Sequence, residues 1–101
     1  MRNESNVHGT RVWFADRVRE GASELFVEAP DRIGVLFAVV TAIIGARVRI
    51  LRSDAKIANG IARDWFLVAE PDGHPLCAAR REQLCNEVLT SIESSWQRDA
   101  A

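Results

Sequence analysis

Ala29-Pro30-Asp31-Arg32-Ile33-Gly34-Val35-Leu36 joins two different patterns. Upstream, Glu24-Leu25-Phe26-Val27-Glu28 is a short run of β-formers between two acids, as a strand would be. Downstream, Val35 to Ile44 is a continuous apolar run closed by Gly45, as a buried helix and its C-cap would be. A strand must therefore end and a helix begin within about four residues. Pro30 cannot donate a ladder hydrogen bond and stops the strand. Asp31 is placed to cap the helix by accepting from the N–H of Ile33 or Gly34. Gly34 has no Cβ to hold a partner away. The expected product is a helix N-terminus with outward N–H groups, suited to a carboxylate.

Outward from this turn, Thr10 to Phe14 (Thr-Arg-Val-Trp-Phe) reads as a strand and 16–22 as a loop. Ser23 to Ala29 is a second strand, with Leu25, Val27 and Ala29 on one face and Glu24, Phe26 and Glu28 on the other. The first helix is expected over about Ile33 to Ile44. Its Leu36, Val40 and Ile43 stripe suits a sheet, while Phe37 and Ile44 fall off that stripe. In Arg47 to Ile57 the apolar parity changes, Val48 and Ile50 against Leu51, Ser53, Ala55 and Ile57. One extra residue near Ile50-Leu51 would restore a common face, which predicts a β-bulge there. Asn59-Gly60 signals a tight hairpin into a strand over Ile61 to Glu70, and Pro71-Asp72-Gly73 turns the chain. Leu84, Val88, Ile92 and Trp96 recur every four residues and predict a last helix from about Leu76 to Trp96.

The order ββαββα implies an α+β sandwich, two helices on one face of a four-stranded antiparallel sheet. One domain is expected over 10–96, between loose tails at 1–9 and 97–101. The chain of 101 residues is 48% hydrophobic with a net charge of −1, which argues against a disordered chain and predicts no strong polyanion-binding field. Cys77 and Cys85 both fall in the last predicted helix, eight positions and so ~12 Å apart, too far for a disulfide and best read as reduced thiols. Met1 to Gly9 has no apolar core of a signal peptide, and no apolar run approaches ~18 residues. A cytoplasmic protein without a membrane partner is the expectation.

Asp31-Arg32-Ile33-Gly34-Val35-Leu36 resembles the Asp-Arg-Pro-Gly-Leu-Leu signature of ACT domains, small amino-acid-sensing modules, with Ile33 in the place of Pro. Ala55-Lys56-Ile57, Gly60, Asp64-Trp65-Phe66-Leu67-Val68 and Asp72-Gly73-His74-Pro75-Leu76 continue the resemblance in register. It covers roughly Arg11 to Ser95 and looks most like the C-terminal ACT units of the bifunctional uridylyltransferase/uridylyl-removing enzymes that modify PII signalling proteins. The resemblance implies a ferredoxin-like fold of order βαββαβ. The final strand of that order is missing here, and the strand at Thr10 to Phe14 would fill its place, from the same chain or swapped from a second copy. It also implies a regulatory amino acid, glutamine by analogy, bound at a homodimer interface. By matching position Asp31, Arg32, Ile33 and Gly34 would line the site, the Gly34 N–H meeting the ligand carboxylate. Arg52, Ser53 and Asp54 of a partner's strand would contact the ligand's other end.

The residues themselves support little else. Phe26, Trp65 and Leu67 share the sheet face away from the helices, with Trp13 beside them, and a patch of that kind marks an interface. The Phe37/Ile44 side of the first helix points the same way, and a homodimer, or stacking on a sister domain, follows, unless the 16–22 loop or the tail folds over the patch. His8, in the tail, and His74, in a turn, offer no positioned acid or base, and His74, Cys77 and Cys85 do not make a zinc site. No cofactor is implied. The Gly-Ser…Asp-x-Asp pattern of nucleotidyltransferases and the His-Asp pair of metal hydrolases are both absent, so no enzyme is expected. Arg32 after the strand is a poor phosphate loop, its neighbours being acidic or apolar. Trp65 and Phe26, with Arg47, Arg49, Arg52 and Lys56 on the edge strand, leave an RNA-binding face as a lesser alternative. A module for protein interaction without a ligand is the other.

Overall fold

The computed structural model describes residues 4–7 and 9–99. In chain order they form β1 (Glu4–Val7), β2 (Thr10–Phe14), β3 (Ser23–Pro30), α1 (Val35–Gly45), β4 (Arg49–Ala58), β5 (Ile61–Ala69) and α2 (Ala78–Asp99). The strands make one antiparallel sheet of order β1-β2-β3-β5-β4. Four of its strands, β2-β3-β5-β4, and the two helices are the α+β sandwich expected from the order of elements, and are compatible with a ferredoxin-like fold.

The sheet carries a fifth strand that the four-strand expectation lacks. Glu4–Val7 pairs with β2 through a turn at Gly9, with Val7 opposite Thr10 and Glu4 opposite Trp13. Residues 4–7 are thus strand rather than loose tail; the rest of 1–8 and residues 100–101 lie outside the described residues. The helix expected to end at Trp96 runs on to Asp99, so part of the 97–101 tail is helical too. β2 pairs with β3 of its own chain, Val12 opposite Val27, through the 16–22 loop. The hairpin is local, and no exchange between copies is needed to fill that position.

Alternation sorts the sheet into two faces. Leu25, Val27, Phe66 and Val68 lie beneath the helices with Val12 and Phe14, meeting Ala38, Val39 and Ile43 of α1 and Leu84, Val88 and Ile92 of α2. All of these are nearly fully buried, which is the main stabilising term of so small a domain. Two polar links fix the layers. Ser91 Oγ donates to the Ala38 carbonyl at 2.8 Å, and Leu76 N–H donates to the buried Ser23 Oγ at 3.0 Å. The Arg80 guanidinium reaches the Ala46 carbonyl at the C-terminal end of α1 and pairs with Glu70 at 3.2 Å.

The predicted bulge is present: the β4–β5 register shifts between Ile50 and Arg52. Ile50 stands opposite Val68, Arg52 opposite Leu67, and Leu51 is the extra residue. Asn59 and Gly60 take φ of 54° and 75°, the pair of left-handed conformations that the two-residue hairpin requires. No helix among the described residues is long and apolar enough to cross a membrane.

Candidate functional site

β3 ends at Pro30, and the Asp31 N–H donates to the Gly60 carbonyl at 2.8 Å, tying the turn after β3 to the tip of the β4–β5 hairpin. Gly34 is the residue that caps α1, with φ 90° and ψ −5° and no side-chain cap. The expected cap by Asp31 is not made. The chain enters the helix from a left-handed residue, so the helix starts at Val35, two residues later than the sequence suggested, with Asp31 set back in the turn. A Cβ on Gly34 would meet nothing within 4 Å. Glycine is needed there for its backbone conformation, and the space in front of it is open. The Val35 N–H donates to the Arg32 carbonyl at 3.2 Å and the Ala38 N–H to the Gly34 carbonyl at 2.9 Å, which leaves the N–H groups of Leu36 and Phe37 as those a helix start cannot pair within itself.

A cleft of about 320 Å³ opens at this end of α1. The turn and first helical turn supply Asp31, Arg32, Gly34, Val35, Leu36 and Phe37; the strands supply Ala55 and Ile57 from β4 and Ala62 and Asp64 from β5. Its size is at the lower end for small-ligand sites. Asp64 is its unusual member. The residue is 5% exposed, and its Oδ2 has no hydrogen-bond partner within the protein. Burial, and after it the charge of Asp31, pushes its pKa up to about 6. Arg32 does not neutralise it by stacking inward: its guanidinium lies over the Trp96 ring, 4.7 Å from the centroid. Thus an uncapped helix N-terminus, which favours an anion, shares an apolar cleft with a buried carboxylate, which favours a cation.

Of the residues singled out in the sequence, Asp31, Arg32 and Gly34 line this cleft, and Ile33 stands beside it, 89% exposed. Ser53 is on the helix side of β4, opposite Phe66. Arg52 and Asp54 are opposite Leu67 and Trp65 and so belong to the other face. There Arg52 pairs with Glu20 and Asp54 lies 3.7 Å from Lys56. Within one chain these two do not join Asp31 and Gly34. Asp64 was missed among candidate residues, although its parity in Asp64-Trp65-Phe66-Leu67-Val68 already places a carboxylate among core positions.

The apolar patch expected on the far face is largely closed by its own chain. Leu67 is 2% exposed and clusters with Ala22, from the 16–22 loop, and Ala69. Trp65 packs on that cluster and donates its Nε1–H to Glu24 at 2.9 Å, with the Arg19 and Arg52 guanidiniums 5.4 and 5.9 Å from its ring centroid. Phe26 stacks on Trp13, centroids 5.4 Å apart and planes 10° from parallel, and Arg11 lies over the Trp13 ring. The rings are engaged with one another and with arginines, an arrangement that leaves little face on which a base could stack. Leu67 is core, and Phe26 and Trp65 are half-buried. Phe37 and Ile44 are open, at 73% and 63% exposure.

A larger, more open groove of about 520 Å³ runs between the helices past Thr41, Gly45, Gln83 and Thr90. Its lining is rich in polar side chains, among them Gln83, Asn86 and Glu87, but among the described residues none of them holds a buried polar atom lacking a partner. Cys77 is exposed and precedes α2 rather than lying within it. Cys85 is buried, and burial pushes its thiol up to about 12. No protein-family model matches this chain, and no solved structure matches it.

Proposed function

We propose that this chain is a small ACT-like regulatory module that binds a free amino acid in the cleft between the start of α1 and the β4–β5 hairpin. The observation that carries the reading is the pairing, in one apolar cleft, of an uncapped helix N-terminus with the unpartnered, buried Asp64. A zwitterion satisfies both, its carboxylate at the N–H groups and its ammonium at the acids. The resemblance of Asp31-Arg32-Ile33-Gly34-Val35-Leu36 to the ACT signature falls on this same turn, and it names glutamine as the ligand by analogy. The module is read as regulatory rather than catalytic: no His, Cys, Ser, Thr or Lys lines the cleft, and ligand binding acts by favouring one state of the protein or its assembly over another.

That assembly is a homodimer closing over the cleft. Leu36, Phe37 and Ile57 are 47%, 73% and 65% exposed beside it, and β4 is an edge strand whose outer hydrogen-bonding groups are free to take a second strand. An antiparallel pairing of two β4 strands about Ala55 would put Asp54 of each copy opposite Lys56 of the other. Differential scanning fluorimetry against the twenty amino acids, with light scattering on each hit, tests the reading. A selective shift is expected. No shift with any of them would leave only a ligand-free interaction module.

A further inference from the structure

The lining of the cleft says more than that its ligand is an amino acid. Its polar side chains are those of Asp31, Arg32 and Asp64. Two of these are carboxyl groups, and the third is drawn toward Trp96. The remaining wall is built by Val35, Leu36, Ala55, Ile57 and Ala62, with Phe37 at the mouth, exposed by 73%. None of these wall side chains can donate to or accept from a carboxamide. The free N–H and C=O groups of β4 point outward along its edge, away from this wall. A glutamine side chain laid along it would bury an amide without partners, whereas a branched hydrocarbon would gain by leaving water.

We propose that the ligand is an α-amino acid with an aliphatic side chain, and that Asp64 is the residue that receives its ammonium group. The inference rests on the reading of the cleft as an amino-acid site and replaces the side-chain identity that analogy supplies. Asp64 is the better receptor than Asp31. It is buried and short of one hydrogen-bond partner, so an ammonium there supplies a bond the free protein does not make. Asp31 is exposed and open to solvent. Ligand orientation follows: carboxylate toward the start of α1, ammonium toward β5, hydrocarbon along Ala55, Ile57 and Ala62.

Isothermal titration calorimetry at pH 7.5 with leucine, isoleucine, valine and glutamine tests this. It is paired with two truncated probes, 3-methylbutylamine and 4-methylpentanoate, which lack the carboxylate and the ammonium respectively. One aliphatic amino acid is expected to bind at least ~10-fold more tightly than glutamine, because burying an unpaired amide is disfavoured by about that much or more. Each truncated probe should lose a similar factor, and Asp64→Asn should weaken the amino acid roughly 10- to 100-fold with an unchanged circular dichroism spectrum. Glutamine binding more tightly than every aliphatic would overturn the inference and leave the amino-acid reading standing. Wild-type protein holding 4-methylpentanoate as tightly as leucine would remove Asp64 from its role, whatever the variant does. If none of the four binds, this inference falls, and the amino-acid reading falls with it only if the fluorimetry against all twenty also shows no shift.

Discussion

The carboxyl groups of Asp31 and Asp64 border one cleft, and the charge on Asp31 adds to burial in raising Asp64 to about 6. The acid is thereby held closer to neutrality than an exposed aspartate. In the free protein it costs stability rather than contributing it. An acid whose folded pKa lies above its unfolded value binds more protons when folded, so stability falls as pH rises from about 4 through about 6 and is level above that.

Asp64→Asn removes this titration without changing shape. The variant should be more stable than wild type at pH 7.5 by about 1–2 kcal/mol, a discounted fraction of what a shift of this size implies at ~1.4 kcal/mol per unit. The gap should close near pH 4. Urea unfolding of both proteins at pH 4.5 and 7.5 measures it, and an equal gap at both values would show that Asp64 is not titrating in this range.

Gly34 should tolerate substitution poorly for backbone reasons alone. Its φ of 90° is outside the range that an L-residue adopts without strain, while the space around it is empty. Gly34→Ala should therefore cost about 1–2 kcal/mol and lower Tm by several degrees. Were steric crowding the reason for glycine, Gly34→Asn, larger than alanine but more tolerant of the left-handed region, would be worse than Gly34→Ala. Comparable thermal melts for the two would support the conformational account.

Exposed apolar side chains contribute little to the fold of one copy but a good deal to an interface. Phe37→Glu with Ile57→Lys should leave the unfolding free energy of the monomer within about 0.5 kcal/mol. The same pair should abolish association in light scattering. Dimers that survive both changes would place the contact elsewhere than the α1–β4 side.

The two cysteines should react at very different rates. Cys77 is exposed, whereas Cys85 is 1% exposed with its thiol pushed up to about 12. A thiol reagent such as Ellman's at pH 8 should consume one equivalent promptly and the second only in denaturant. Two equivalents released in the native protein would mean that α2 lifts readily from the sheet.

Much of the fold follows from parity and turn chemistry that single residues reveal. The break between Ile50 and Leu51 located the bulge, Asn59-Gly60 located the hairpin, and Leu25 and Val27 gave the buried face of β3. Where reading failed, the cause was non-local. Glu4-Ser5-Asn6-Val7 has no β-former pattern, and its strand exists because β2 offers a free edge beyond a glycine turn. Leu67 alternates with Phe66 as an outward residue would, but the 16–22 loop folds back to cover it, which no periodicity reports. Asp31 looked like a helix cap because Asp usually is one there; the left-handed Gly34 moved the helix start beyond its reach. Asp64 was visible as an acid at a core parity and went unread because Trp65 and Phe66 beside it drew the pattern.

Leu51, the surplus residue of β4, has an evolutionary corollary. Arg49 and Ile50 on one side of it, and Arg52 and Ser53 on the other, already face the way an unbroken ladder would set them. Excising Leu51 would mend the ladder and leave each remaining side chain of the strand on its present side. Removing any residue from Ser53 to Ala58 would instead turn part of the strand over. Shortened descendants of this gene should therefore carry their gap at position 51.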